Sequence, residues 1–385
     1  MGGESGPWPP SSSGSKNFFR AMRESLLKYL VDPASGEKFS LLVLAKEGVQ
    51  VTAGVLRTKN SWYPIVRGVP RILVGGLRKE MLREQRGFLR SFHDRLPREA
   101  INEVEGAIEA GGDSDSSLSH QRKTAESFAF EWRKIYRENP FEESNFLHFL
   151  SPFLGKKDFL NKVVVDAGCG SGRFTKQAAR FGALAVIGLD LSEGVDVAYE
   201  LTKDLPNAHI VQADIYALPI HRSADLAFSV GVLHHLPEPE KGFQSMIQTV
   251  RPGGRAIIWV YNRRDNARAI YIYEPLRALL RPLPRPIIYG LGFIPATFVQ
   301  LLNLLTISLQ RLGFSNFSRS IPFSYYANFP FNMKLNDAFD VLATPKSNYY
   351  YKEEVESWFG KNNLGSIRSY EHPEAGITCV GVKSS

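Results

Sequence analysis

Val163-Val164-Val165-Asp166-Ala167-Gly168-Cys169-Gly170-Ser171-Gly172-Arg173-Phe174 is the stretch on which the reading of this 385-residue chain turns. Three β-branched residues in a row suit a strand buried on both faces, as in the middle of a parallel sheet. An acid and three glycines then precede a helical pattern, so the order is strand, glycine loop, helix. Glycine lets backbone approach a ligand with no Cβ in the way, and the free N–H groups at the helix start favour a polar or negative ligand group. Alone, such a loop is weak support for a ligand; the segments around it supply the rest.

Ala185 to Leu189 is a second apolar run. It ends at Asp190, about 20 residues beyond the loop, where dinucleotide folds place a carboxylate on ribose hydroxyls. His209 to Ala213 is a third run, ending at Asp214-Ile215, where a carboxylate can accept from an adenine amino group while its apolar neighbour covers the ring. Asp225 to Val230 reads as a fourth strand, Gly231 to Leu236 as a loop, Phe243 to Val250 as a helix, and Arg255 to Val260 as a fifth strand behind the turn Pro252-Gly253-Gly254. Strand and helix alternate, the pattern of an α/β fold with a parallel sheet. A nicotinamide-binding fold would use the loop and Asp190 but leave Asp214 and the His-His-Leu-Pro loop, 234–237, without a task.

Through "VVVDAGCGSGRF", "VIGLDLS", "VQADIYALPI", "DLAFSVGVLHHLP" and "TVRPGGRAIIWVYN" the chain resembles the class I S-adenosylmethionine-dependent methyltransferases, particularly their ubiquinone and menaquinone branch. The resemblance implies a seven-stranded Rossmann-like methyltransferase sheet built from residues 128–262 and 340–385, closed by strands near 366–371 and 376–382 behind a helix at Glu353 to Phe359. A helical insert, 263–339, precedes the last two strands. The implied cofactor is S-adenosyl-L-methionine. Asp166, Gly168, Cys169, Gly170 and Gly172 would surround its methionine end, Asp190 would bind its ribose, and Asp214 with Ile215 its adenine, with Leu191 and Val230 also among the cofactor-binding residues. Because the sulfonium already activates the methyl group, alignment and exclusion of water matter most. His234 or His235 could take a proton from the acceptor, or both could simply hold their loop by bonds to backbone. Phe128, Trp132, Tyr261, Tyr325 and Tyr350 are candidate acceptor or lid residues, with ordinary packing as the alternative.

In the front part, Phe18, Met22, Leu26 and Leu30 are spaced as on a helix that ends at Asp32-Pro33, and apolar runs at 39–45, 48–56 and 62–66 predict a small β-rich module over residues 18–75. "LLKYLVDPASGEKFSLL" and "GVLRTKNSWYPIVRGVPRIL" resemble the zinc-ribbon-like activator domain of tRNA and release-factor methyltransferases. Asp32, Ala34 or Ser35, and Arg57 to Asn60 stand where that family often has cysteines, so no metal is expected. Residues 1–17, rich in Gly, Pro and Ser, read as a disordered head without the features of a signal peptide. Residues 76–127 read as a helical linker made flexible by the polar run Gly111 to Ser117.

Two cysteines, Cys169 and Cys379, indicate neither a disulfide framework nor a zinc site and fit a reducing cytoplasm. The formal charge is +8, with Arg251, Arg255, Arg263, Arg264, Arg268, Arg277, Arg281 and Arg285 close together. They precede 25 uncharged residues, Pro286 to Gln310, long enough to span a bilayer. A single crossing would leave the closing strands on the wrong side of the membrane. What remains is an element lying at an anionic membrane surface, or a lid packed on its own domain. The expected function is methylation of oxygen or carbon on a small, hydrophobic or lipid-linked acceptor. No nucleic-acid partner is expected, since the residues show no aromatic-basic RNA platform and no Asn-Pro-Pro-Tyr motif after the fourth strand. Methylation of RNA or protein, and a catalytically silent membrane-associated binding protein, are the alternatives.

Overall fold

The computed structural model describes residues 22–48, 50–109, 116–134, 136–280, 282–344, 347–373 and 376–384. The expected disordered head lies outside them, as do residues 111–115 of the polar run. The glycine-loop strand, β6 (Val163–Ala167), is flanked by β7 (Ala185–Asp190) and β9 (Ala224–Val230), all parallel. With β8 (Ala208–Ala213), β10 (Val250–Tyr261), β11 (Leu364–His372) and β12 (Gly376–Lys383) they form seven strands in the order β8-β7-β6-β9-β10-β12-β11, only β12 running against its neighbours. Val164, Val165, Val186 and Ile187 are fully buried because helices cover both faces, which is why these strands read as continuous apolar runs. The chain leaves β6 where the strand order reverses, so its loop opens into the crevice at the carboxyl ends.

The front strands are β1 (Met22–Arg23), β2 (Ser40–Glu47), β3 (Gln50–Arg57), β4 (Trp62–Val66) and β5 (Val69–Ile72). They do not form a separate sheet: β5 lies parallel to β8, pairing Arg71 with Gln212 and Ile72 with Ala213, so the sheet runs to twelve strands. The helix expected from Phe18 to Leu30 does not form over its described part. Phe18 to Ala21 lie outside the described residues, Met22–Arg23 pairs with β3, and Glu24–Lys28 makes a short 3-10 turn. Met22 and Leu26 are buried as their spacing required, but Leu30 bridges to Ile220 and the Val31 N–H donates to the Pro219 carbonyl at 3.0 Å. Tertiary pairing has taken the backbone groups that a helix would use internally.

Within the front strands, Asp32 holds two loops together. Its buried carboxylate accepts the Ala34 N–H at 2.7 Å and the hydroxyl of Ser61 from across the module. Helices Gly75–Glu84 and Arg98–Glu109 share a core with β2 and β3 through Leu77, Met81, Ala100 and Val104. In the insert, Leu335 and Phe339 of helix Phe331–Ala343 pack on Ile288 and Ala296 of helix Arg285–Arg311.

Arg71 fastens the module. It is fully buried, its guanidinium 2.7 Å from Asp196 on helix Gly194–Thr202 and 3.1 Å from the Gln212 side chain on β8. Asp196→Asn should therefore cost roughly 3–5 kcal/mol in urea unfolding, because it leaves a buried charge uncompensated. Arg71→Met should cost less, since Asp196 keeps Arg133 at 3.8 Å. Equal losses would refute the buried-charge account. At the end of β6, Asp166 is buried and accepts the Thr175 hydroxyl at 2.6 Å, and burial pushes its pKa up to about 7. The folded chain thus holds this proton from about pH 4, the unfolded value, up to about 7, and stability from this group falls as pH rises through that window. The melting-temperature difference between Asp166→Asn and wild type should grow in favour of the variant over that range; a flat difference would contradict the assignment.

Candidate functional site

A cavity of about 270 Å³ opens at the carboxyl ends of the parallel strands. Gly168, Cys169, Gly170 and Ser171 from the glycine loop line it, with Asp190, Leu191 and Ser192 after β7, Ala213 and Ile215 after β8, and Val230 with Gly231 after β9. The loop is stitched to β7: the N–H groups of Gly168 and Cys169 donate to the Leu189 carbonyl at 2.8 and 2.9 Å, and that of Gly170 donates to an Asp190 oxygen at 2.9 Å. The other Asp190 oxygen accepts from the Ser192 N–H and hydroxyl. Gly168 sits at φ +86°, and a Cβ there would come within 2.5 Å of the Val232 side chain. Gly170, at φ +53°, lies against Trp132, whose Nε1 a Cβ would meet at 3.0 Å. These backbones close on the cavity only because they carry no side chain. Burial holds the Asp190 carboxyl above its ordinary range and pushes the Cys169 thiol far up, leaving that thiol protonated.

Six of the expected site residues stand outside this lining. Asp166 lies beneath the loop on Thr175, and Gly172 starts the next helix pressed against Ala198. The Asp214 carboxylate turns back to the Tyr216 N–H at 3.0 Å. Tyr350 packs on Trp358, and Tyr325 is exposed beside Tyr326. His234 and His235, neighbours on one short turn, part company. His234 is fully buried against Tyr261, ring centroids 3.9 Å apart; neither ring nitrogen has a partner, and burial holds its pKa far below the usual value. His235 faces the cavity, its ring 5.2 Å from Phe128 and its Nδ1 3.3 Å from the Ser347 hydroxyl.

The far wall combines aromatics with acids. Phe128 and Trp132 stack on helix Ser116–Lys134, Trp259 and Tyr261 come from β10, and Asn336, Asp337 and Asp340 come from the insert. Glu131, buried on the same helix as Phe128 and Trp132, accepts from the Asn336 amide at 2.8 Å; burial, with Asp340 nearby, raises its pKa well above the usual value. Asp337 accepts the Tyr326 hydroxyl at 2.5 Å and is pushed up to about 6 by burial. Burial likewise keeps the Tyr261 hydroxyl protonated. Arg173, directly after the loop, lies 5.4 Å over the Trp132 ring. The sequence reading missed Glu131, Arg173 and the insert acids. Glu131 shares a helix face with Phe128 and could have been found by that spacing; nothing local marks Asp337 and Asp340, which arrive through tertiary packing.

A family model for a methyltransferase domain matches residues 165–258. The tRNA U34 carboxymethyltransferase of Pseudoalteromonas atlantica is 28% identical over 159 residues, 40% of this chain and 45% of that one. The ubiquinone biosynthesis O-methyltransferase of Hydrogenovibrio crunogenus is 26% identical over 153 residues, 39% of this chain and 60% of that one. Among solved structures, magnesium protoporphyrin IX methyltransferase from Synechocystis PCC 6803 with bound SAH shares 14% identity, over 70% of this chain and 100% of that one, with a TM-score of 0.41. The chain spans about half the length of the curated relatives it matches. The chain thus carries a methyltransferase domain over residues 165–258, similar to those of S-adenosylmethionine-dependent methyltransferases.

Proposed function

We propose that the chain transfers the methyl group of S-adenosylmethionine to an oxygen or carbon of a small, hydrophobic acceptor, in the cytoplasm. The observation that carries this reading is a single cavity with the glycine loop and Asp190 on one side and Phe128, Trp132, Tyr261 and His235 on the other. A lipid-linked acceptor falls in the same class, because the insert that walls the cavity also carries a strongly apolar exposed face.

The residues fit the cofactor. Gly168 and Gly170 leave backbone where a side chain would intrude, Asp190 is held rigid at the end of β7 by three hydrogen bonds, and Leu191 and Ile215 offer flat apolar contact. Asp190 would take the ribose hydroxyls, and Ile215 would cover the adenine ring beside Asp214, Val230 bounding the pocket from β9. Bound there, the cofactor supplies a methyl group already activated on sulfonium. The chain's part is alignment and dryness: Phe128 and Trp132 exclude water and hold an apolar acceptor, and His235 accepts its proton while Ser347 orients the imidazole. His234, buried without partners, supports Tyr261 instead. An RNA acceptor is the second reading, favoured by the tRNA-modifying relative.

Titration calorimetry should show saturable S-adenosylmethionine binding that Asp190→Ala weakens at least about tenfold, the scale of one lost charged hydrogen bond; undiminished binding would remove Asp190 from the site. With labelled cofactor, catechol- or quinol-like acceptors should take up label and bulk tRNA should not; the reverse would select the RNA reading. His235→Gln should slow single-turnover transfer by roughly a hundredfold or more while leaving cofactor affinity intact. An unchanged rate would show that His235 only packs.

A further inference from the structure

Helix Arg285–Arg311 has two dissimilar faces. Its inner face, Ile288, Gly292, Ala296, Asn303 and Thr306, is buried against the rest of the insert. Its outer face carries Ile294, Phe298, Leu301 and Leu305, at the spacing of one helical stripe, each between 51% and 69% exposed. Leu312, Phe314 and Phe317 extend this apolar surface past the helix end. The most apolar window of the helix has a mean hydropathy of 1.6, yet only 22% of it is buried, whereas a core helix would be mostly enclosed.

Charge says what covers it. From Pro275 to Asn336 the sequence holds no Asp or Glu but six cations: Arg277, Arg281, Arg285, Arg311, Arg319 and Lys334. Arg277 is spent internally on Glu274, and Arg285 reaches Glu126 at 3.3 Å. Arg311 and Arg319 stand exposed beside the apolar end of the helix. A wide apolar stripe edged by arginines, with no acid in the same segment, suits a surface that is greasy inside and negative at its border. We propose that the outer face of the insert docks on an anionic lipid bilayer, with Phe298 and Leu301 in the acyl boundary and Arg311 and Arg319 among the headgroups. The helix lies along the interface: the element packed back along it, Phe331–Ala343, has 13 residues and is too short to recross the hydrocarbon, while the insert must return to β11 and β12. Docking does not depend on methyl transfer, but it would set the cavity wall formed by Asn336, Asp337 and Asp340 one helix away from lipid.

The test is sedimentation of the full chain with vesicles of equal parts phosphatidylglycerol and phosphatidylcholine, or of phosphatidylcholine alone. Wild type should sediment with the anionic vesicles, at least about tenfold more weakly with neutral ones, and less at high salt. Phe298→Glu with Leu301→Glu should weaken partitioning by roughly a hundredfold or more, while calorimetric binding of S-adenosylmethionine stays as in wild type. If that pair disturbs folding, Arg311→Gln with Arg319→Gln decides, with several-fold weaker binding to anionic vesicles only. A wild-type chain that stays in the supernatant, or a Glu pair that sediments as well as wild type, overturns the proposal. So does a wild-type dimer that the Glu pair makes monomeric with no vesicle binding by either, which would give the face to a second copy of the chain. Loss of cofactor binding with intact sedimentation would count against the methyltransferase reading alone.

Discussion

The hydrogen bond from the Gly170 N–H to the Asp190 carboxylate, with the two beside it to the Leu189 carbonyl, ties the loop after one core strand to the end of the next. The cavity has its shape because of this tie. Positive φ at Gly168 and Gly170 keeps the loop clear of side chains, and the bond fixes the carboxylate that faces the opening. Both depend on β6 and β7 lying side by side in parallel, which the burial of their valines and isoleucine on both faces secures.

Around this centre the chain adds one element at each side. The front module extends the sheet beyond β8, covering an edge that would otherwise present unpaired backbone groups. The attachment is polar at its heart, with Arg71 buried between Asp196 and Gln212. Such a pair offers little net stability over an apolar substitute, but removing one partner alone leaves the other charged and buried. Asp32 does the comparable task inside the module, joining two loops by hydrogen bonds.

The insert works in two directions. Helix Phe331–Ala343 turns Asn336, Asp337 and Asp340 toward the cavity and Leu335 and Phe339 toward helix Arg285–Arg311, so this cavity wall and the exposed apolar face belong to one packed unit. Because Glu131 and Asp337 are driven by burial toward their protonated forms, this wall is less negative than its acids suggest.

By itself the sequence determined where the core strands lie and which loop opens beside them: continuous β-branched runs, glycines at the loop, and an acid ending the second strand are local signals with local physical causes. It also marked β2, β3 and β4 of the module and the insert's apolar stretch. Only the tertiary structure decided that β5 joins β8, since edge pairing depends on a partner 141 residues away, and that Met22 to Leu30 forms a strand and a turn rather than a helix. It alone separated His234 from His235 and brought Asp337 and Asp340 to the cavity. Neighbouring side chains on a short turn point in different directions, and residues far apart in the chain meet through packing, so neither outcome is written in spacing.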